Sequence, residues 1–221
     1  MILIIGAGGH GQVVADIFRA RYASRLISDH VGFVDDDRAR LGCRFVGSPV
    51  LGTLDQVHEI AHDAVIVAIG HNATRSGIFH TLLAAGERIA IAQHPRSIVA
   101  EDVTIGAGSM LCAGAIVSTG AAIGRDAIVN TGATVDHHST IGNHVHIGPG
   151  VHMGGEVRVD DGALIGIGAT VIPGIQIGAW SIVGAGAVVI RDVPPGTTVV
   201  GCPAEPIATP VTALSCHKVT S

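Results

Sequence analysis

At 221 residues the chain has room for one large domain or two small ones, and its 31 Gly against six aromatic residues (four Phe, one Tyr, one Trp) do not suit a conventionally layered core. A formal charge of −5, with 13 Lys and Arg scattered and no basic run, excludes a nucleic-acid partner held by phosphate neutralisation. No apolar run approaches the ~20 residues of a membrane span, and the opening MILIIGAGGHG has no charged leader region or cleavage motif, so a cytoplasmic protein without a membrane span is expected.

The first ninety-five residues predict alternating strands and helices. An apolar strand over 2–5 runs into Gly6-Ala7-Gly8-Gly9-His10-Gly11, and a helix follows over 13–20. A second strand over 31–34 ends on Asp35-Asp36-Asp37, and a third over 64–69 closes on Gly70-His71-Asn72. A helix over 74–85 and a last strand over 88–92 precede His94-Pro95. This order implies a parallel sheet with ligands at the carboxyl ends of its strands. Gly6, Gly8 and Gly11 fit G-x-G-x-x-G, in which the turn lets a phosphate approach the backbone amides of a helix N-terminus. The unit, 1–94, supplies only one mononucleotide half of a dinucleotide fold, so a single nucleotide or nucleotide-sugar suits it better than NAD. A purely structural role for the glycines stays open at this point.

From Val99 to Val189 the pattern changes completely. Every sixth residue is a bulky aliphatic or Met, sixteen times in succession. Two residues before each anchor sits a small or β-branched residue, and Gly, Asn, Asp or Ser mostly follows it. Period six fits neither an amphipathic helix nor an alternating strand, and it is the signature of a β-solenoid. Three repeats close a triangular coil of about eighteen residues, with the anchors stacked inside. The Gly, Asn and Asp positions are expected to take positive φ at the corners. The solenoid is expected over 95–207, with a polar tail over 208–221.

GAGGHG at Gly6, FVDDD at Phe33, AIGHN at Ala68, NTGATVDHH at Asn130 and DVPPGTTVVGCPAEPI at Asp192 together resemble the bacterial nucleotide-sugar acetyltransferases of the hexapeptide-repeat superfamily. The resemblance covers nearly the whole chain. It implies an α/β half-Rossmann domain followed by a left-handed parallel β-helix, assembled as a homotrimer. It also implies acetyl transfer from acetyl-CoA to the 4-amino group of a nucleotide-linked 4-amino-4,6-dideoxy sugar, for surface glycans such as lipopolysaccharide, with no metal. By this resemblance His137 is the general base, and His146, Gly155, Ile167 and Ala185 line the acetyl-CoA groove. Gly8, Gly9, His10, Asp35, Asp36 and Gly70 contact the nucleotide-sugar.

Acetyl transfer needs a base, because an ammonium group has no lone pair with which to attack a thioester, and imidazole, with a reference pKa near ~6.5, suits the task. Five of the thirteen histidines fall between His137 and His152. His137 and His146 stand half a coil apart, so they can share a pocket only between two chains. The family often has a carboxylate directly after the base, where this chain has His138. Asp136 and Glu156 are therefore candidates for the acid that orients His137. His138, His144 and His152 read as solvent-facing wall positions, and Cys112 as a small wall residue. Two other activities remain: O-acetylation of a sialic-acid-type sugar, and, from another class, a zinc-binding β-helix like the γ-type carbonic anhydrases.

Overall fold

A computed structural model describes residues 1–22 and 30–207; the tail expected over 208–221 lies outside the described residues. The N-terminal sheet contains β1 (Ile2–Ile5), β2 (Val31–Val34), β3 (Arg44–Phe45), β4 (Ser48–Gly52) and β5 (Ala64–Val67), in the order β3-β4-β2-β1-β5. All pairings are parallel except the β3–β4 hairpin, which the sequence did not predict. Strands β1, β2 and β5 are apolar and almost entirely buried, as expected of a sheet covered on both faces. The helices are α1 (Gly9–Arg21) and α2 (Asn72–Ala84), each starting earlier than the 13–20 and 74–85 predicted.

The solenoid is a three-walled parallel β-helix whose strands are two residues long and recur every eighteen residues, as in Ile116↔Thr134. Its first wall includes Met110–Leu111, Ile128–Val129, His146–Ile147, Leu164–Ile165 and Ile182–Val183. The second wall includes Ile116–Val117, Thr134–Val135, His152–Met153 and Thr170–Val171, and the third Ala122–Ile123, Thr140–Ile141 and Arg158–Val159. The anchors and the small residues two places before them form one continuous core. Only the first two anchors, Val99 and Ile105, are partly exposed, because the stack begins there. The winding starts at Ala92–Gln93, which pairs with Met110–Leu111, so the strand predicted over 88–92 is divided. Ile89 bridges to Val65 in the N-terminal sheet, and the chain crosses to the solenoid within three residues.

Positive φ falls three residues after the anchors, at Gly114, Gly120, Gly132 and His138, and not directly after them as expected. The glycines that directly follow an anchor have a different cause. A Cβ on Gly106 would lie 2.5 Å from the carbonyl carbon of Gly124, and one on Gly124 would lie 2.6 Å from that of Gly142. Those positions are small because successive coils touch backbone to backbone.

The first wall has an apolar outer side, and that is where the N-terminal domain docks. Ala92, Met110, Cys112 and Ile128 share one buried cluster with Val14, Ala15 and Phe18 of α1 and with the inner residues of the sheet. Helix α2 lies along the corner between the third and first walls, whose second turn residues are Gly108, Asp126, His144, Gly162 and Trp180. Phe79 fills the space over Gly108, Arg75 bonds at Asp126 and His144, and Asn72 Nδ2 donates to the carbonyls of Gly162 and Ala163. One helical turn, about 5.4 Å, nearly matches the strand-to-strand rise of about 4.8 Å, so each turn of α2 meets one coil.

Candidate active site

The expected site residues fall into three separate groups within one chain. The first surrounds the glycine turn. A Cβ on Gly11 would lie 1.8 Å from the Gly6 carbonyl oxygen, so Gly11 lets α1 approach β1, and Gly6 itself has φ of 103°. Gly8 and Gly9 have no such constraint and border a cavity of about 380 Å³. That cavity is also lined by His10, Asp35, Asp36, Arg40 and Gly70. Its floor is the start of α1, where Gly8 offers no side-chain cap and the first turn holds no acid. The first amides of the helix are thus left for an anion.

The acidic pair fixes the walls of this cavity. Asp35 Oδ2 accepts from the Ala7 N–H at 2.7 Å and from Arg40 Nη1 at 3.2 Å, and its Oδ1 accepts from the Asp37 N–H. Asp36 Oδ1 accepts from the Leu54 N–H at 2.8 Å. Arg40 escaped the sequence reading, although a cation five residues after Asp35, following a strand end, was a usable signal. Its guanidinium stands over Gly8 and brings positive charge to the glycine turn.

His10 and His146 meet behind this cavity, with ring centroids 6.2 Å apart. His146 Nε2 lies 3.2 Å from Asn130 Nδ2, which can only donate, and its Nδ1 lies 3.3 Å from the Gly70 carbonyl, which can only accept. These partners select the neutral tautomer with hydrogen on Nδ1. Burial first, then the nearby Arg75 charge, pushes both rings down to about 4, so each is neutral near pH 7. Behind them, the wholly buried Arg75 donates Nη1 to the carbonyls of Ile69 and Gly70 and to Asn72 Oδ1. Its Nη2 donates to the His144 carbonyl, and its Nε pairs with Asp126 Oδ2 at 3.2 Å.

His144 is therefore not the solvent-facing position expected. It is 7% exposed, with Nδ1 2.8 Å from Asp126 Oδ2, because α2 covers its corner. Cys112 is buried among the side chains at the domain junction, and burial pushes its thiol up to about 12, which makes it inert as a nucleophile at neutral pH.

The second group occupies the corner between the second and third walls, opposite the wall that carries His146. His137 and His138 are its turn residues, with Nδ1 of one ring 3.1 Å from Nδ1 of the other. Asp136 Oδ1 accepts from the His137 main-chain N–H at 2.8 Å, so its carboxylate holds the backbone and not the ring, contrary to one expectation. The His137 ring lies over Gly155, one coil on, where a Cβ would come within 2.5 Å of Nε2. The Gly155 N–H makes no hydrogen bond among the described residues. Glu156, also exposed, bonds neither ring. Ile167 and Ala185 stack at a third corner, between the first and second walls, and Ile167 is well exposed. His10, Asp35 and Gly70 thus stand on one side of the prism, His137 and Gly155 on another, and Ile167 and Ala185 at a third. One chain does not bring them together.

Residues 1–82 match the family described as the PglD N-terminal domain. Over 51 residues the chain is 47% identical to a 2,3,4,5-tetrahydropyridine-2,6-dicarboxylate N-acetyltransferase of Staphylococcus aureus. That segment is 23% of this chain and 21% of the enzyme, so the match spans about a fifth of that relative's length. Solved structures align over nearly everything. The acetyltransferase domain of PglB from Neisseria gonorrhoeae, in complex with acetyl coenzyme A, has a TM-score of 0.86 at 36% identity, covering 93% of this chain and 98% of that one. A mutant perosamine N-acetyltransferase from Caulobacter crescentus, in complex with CoA and GDP-perosamine, has a TM-score of 0.86 at 36% identity, covering 94% and 97%. WeeI from Acinetobacter baumannii has a TM-score of 0.85 at 32% identity, covering 94% and 99%.

Proposed function

The chain belongs to the hexapeptide-repeat nucleotide-sugar acetyltransferases, with their half-Rossmann domain and left-handed β-helix, and on that premise we propose that it acetylates an amino sugar. The acetyl group comes from acetyl-CoA, and the acceptor is the 4-amino group of a nucleotide-linked 4-amino-4,6-dideoxy sugar. The observation that carries this reading is the pairing of a nucleotide-sized cavity at an uncapped helix start with an exposed imidazole on the far corner of the solenoid. The bound CoA and GDP-perosamine of the Caulobacter relative support the same substrate classes.

In this reading the diphosphate sits against the amides of Gly8 and Gly9, under Arg40. His137 Nε2 takes one proton of the acceptor ammonium, and the freed amine attacks the thioester carbonyl. The tetrahedral intermediate then breaks its C–S bond, the departing CoA thiolate taking the second proton that the nitrogen loses. In the same reading the Gly155 N–H, unbonded among the described residues, donates to the developing oxyanion. No covalent acetyl-enzyme is required, and the buried Cys112 offers none.

The site is completed by a second copy of the chain in a homotrimer. The second wall supports this assembly, because exposed isoleucines stand at both of its ends, Ile98 (65% exposed) with Ile116 and Ile172 with Ile190, separated by Thr134, His152 and Thr170. Acetyl-CoA then lies between two solenoids, against Gly155 of one and Ile167 and Ala185 of the next. No helix among the described residues is long and apolar enough to cross a membrane.

Thiol release from acetyl-CoA, measured against a panel of UDP-, GDP- and dTDP-linked 4-amino sugars and of sialic-acid-type hydroxyl acceptors, tests the proposal. Turnover with a nucleotide-linked amino sugar is expected. Turnover with hydroxyl acceptors alone would reassign the enzyme to O-acetylation, and carbon dioxide hydration without thiol release would overturn acyl transfer.

A further inference from the structure

The imidazole pair at the second corner has more structure than a lone base requires. His137 and His138 are consecutive, their rings are 5.3 Å apart at 76°, and their Nδ1 atoms are in hydrogen-bond contact at 3.1 Å. Each ring rests on a glycine of a different coil. His137 lies over Gly155 in the following coil, and His138 over Gly120 in the preceding one, where a Cβ would come within 2.8 Å of its Cδ2. His138 also adopts φ of 57°, a left-handed conformation that Gly120 and Gly174 adopt in the same column without a side chain to strain.

Two of the carboxylates around the pair, Asp136 and Asp102, are committed elsewhere. Asp136 holds the His137 main chain, and Asp102 accepts from Thr119 Oγ1 and the Gly120 N–H, both at 2.8 Å. Glu156, the next residue down the column, bonds neither ring. No carboxylate contacts either imidazole among the described residues, so the one partner of the His137 ring is the ring of His138.

We propose that His138 is the positioning residue of His137, its Nδ1 lone pair accepting the His137 Nδ1–H and so fixing the tautomer that leaves His137 Nε2 free. Two adjacent nitrogens at this distance need one proton between them. With that proton on His137, its Nε2 lone pair is left free to meet the acceptor ammonium beside Gly155. When Nε2 takes the ammonium proton, His137 becomes an imidazolium, and the His138 lone pair stabilises the N–H that faces it. With the proton on His138 instead, His137 would carry its hydrogen on Nε2 and could not serve as a base there. An imidazole thus stands in the position of an orienting carboxylate, as a neutral acceptor. The inference rests on the general-base reading of His137.

Two measurements test it. In the intact protein, imidazole nitrogen NMR near pH 8, assigned with His137→Asn, should show His137 with hydrogen on Nδ1; hydrogen on Nε2 would overturn the pairing whatever the activity of any variant. The second is the pH dependence of kcat for His138→Ala, His138→Asn and His138→Asp. Losing a neutral hydrogen bond should lower kcat of the Ala variant about tenfold at pH 7, with both KM values little changed. Asn, a neutral acceptor, should recover part of this. Asp should recover it and move the acid limb of kcat to higher pH, because a carboxylate favours the imidazolium. Wild-type kcat in His138→Ala, or equal kcat and acid limbs in the Ala and Asp variants, would show that the contact does nothing for the base. Full turnover in His137→Ala would defeat the general-base reading itself. Loss in His137→Ala with no response across the His138 series would defeat only the pairing.

Discussion

His10 and His146 are half-buried beside the glycine-turn cavity and held neutral, at about 4 against an ordinary 6.5, first by loss of solvent and then by Arg75. An unfolded chain would protonate both near 6.5, so the stability they permit is complete above that pH and is lost as pH falls toward 4. Melting temperature should hold steady from pH 8 to 7 and fall below it, and His146→Gln should flatten part of the fall. A melting temperature unchanged between pH 7 and 4.5 would mean that both rings are solvated. His137 belongs to a different environment. As general base it should contribute ~10²–10⁴-fold, so His137→Ala should lose that much turnover at pH 7 and less at higher pH, where free amine is present unaided. Gly155→Ala probes the same place sterically, since its methyl would meet the His137 ring. A large drop in kcat with an unchanged melting temperature is expected, and unaltered kcat would detach the ring from its seat. The positions of His137, Gly8, Asp35 and Gly70 were legible from motifs because a turn of fixed geometry needs particular residues. The bonding of Asp136 and His138 was not, because it depends on which rotamers two neighbouring turn residues adopt, and that of His144 was not, because its partner Asp126 lies one coil away beneath the other domain.

The solenoid strands were legible because a single period repeats, and every coil confirms the previous one. The β3–β4 hairpin was not, since its strands are short and carry no period, and neither was the cause of the glycines that follow about half of the anchors, which lies in the next coil. Helix α2 illustrates the same limit. Its existence is written locally, but its role depends on the near match between helical pitch and coil rise, which places Phe79, Arg75 and Asn72 on Gly108, Asp126 and Gly162. Arg75 is the buried charge in this contact, and it also fixes the Gly70 carbonyl at the rim of the nucleotide cavity. Removing it with Arg75→Met would leave Asp126 charged and buried, at a cost of about 3–5 kcal/mol. Chemical denaturation should register that loss, and adding Asp126→Asn should restore part of it. An Arg75→Met protein of full stability would show that the domains are held by the apolar contact alone.

At the scale of the molecule, the arrangement of the walls carries the account. The glycine-turn cavity and His146 lie against the first wall, His137 projects from the opposite corner, and exposed isoleucines stand at the two ends of the second wall. In the proposed assembly the glycine-turn group and the His137 group, which face away from each other in one chain, are half-sites, and closed rotational symmetry would join one chain's half to its neighbour's. Sedimentation should therefore find a trimer, and a stable, active monomer would defeat the assembly. Asp35→Ala, which releases both Ala7 and Arg40 at the cavity, should raise KM for the sugar far more than for acetyl-CoA, and equal effects would put the sugar elsewhere. The most direct measurement combines this variant with His137→Ala. Each should be nearly inactive alone at low sugar concentration, yet randomly mixed trimers should regain about a quarter of wild-type activity, because that share of interchain sites would draw an intact half from each chain. Mixed trimers that form but remain inactive would place both halves of the site in one chain and contradict the account.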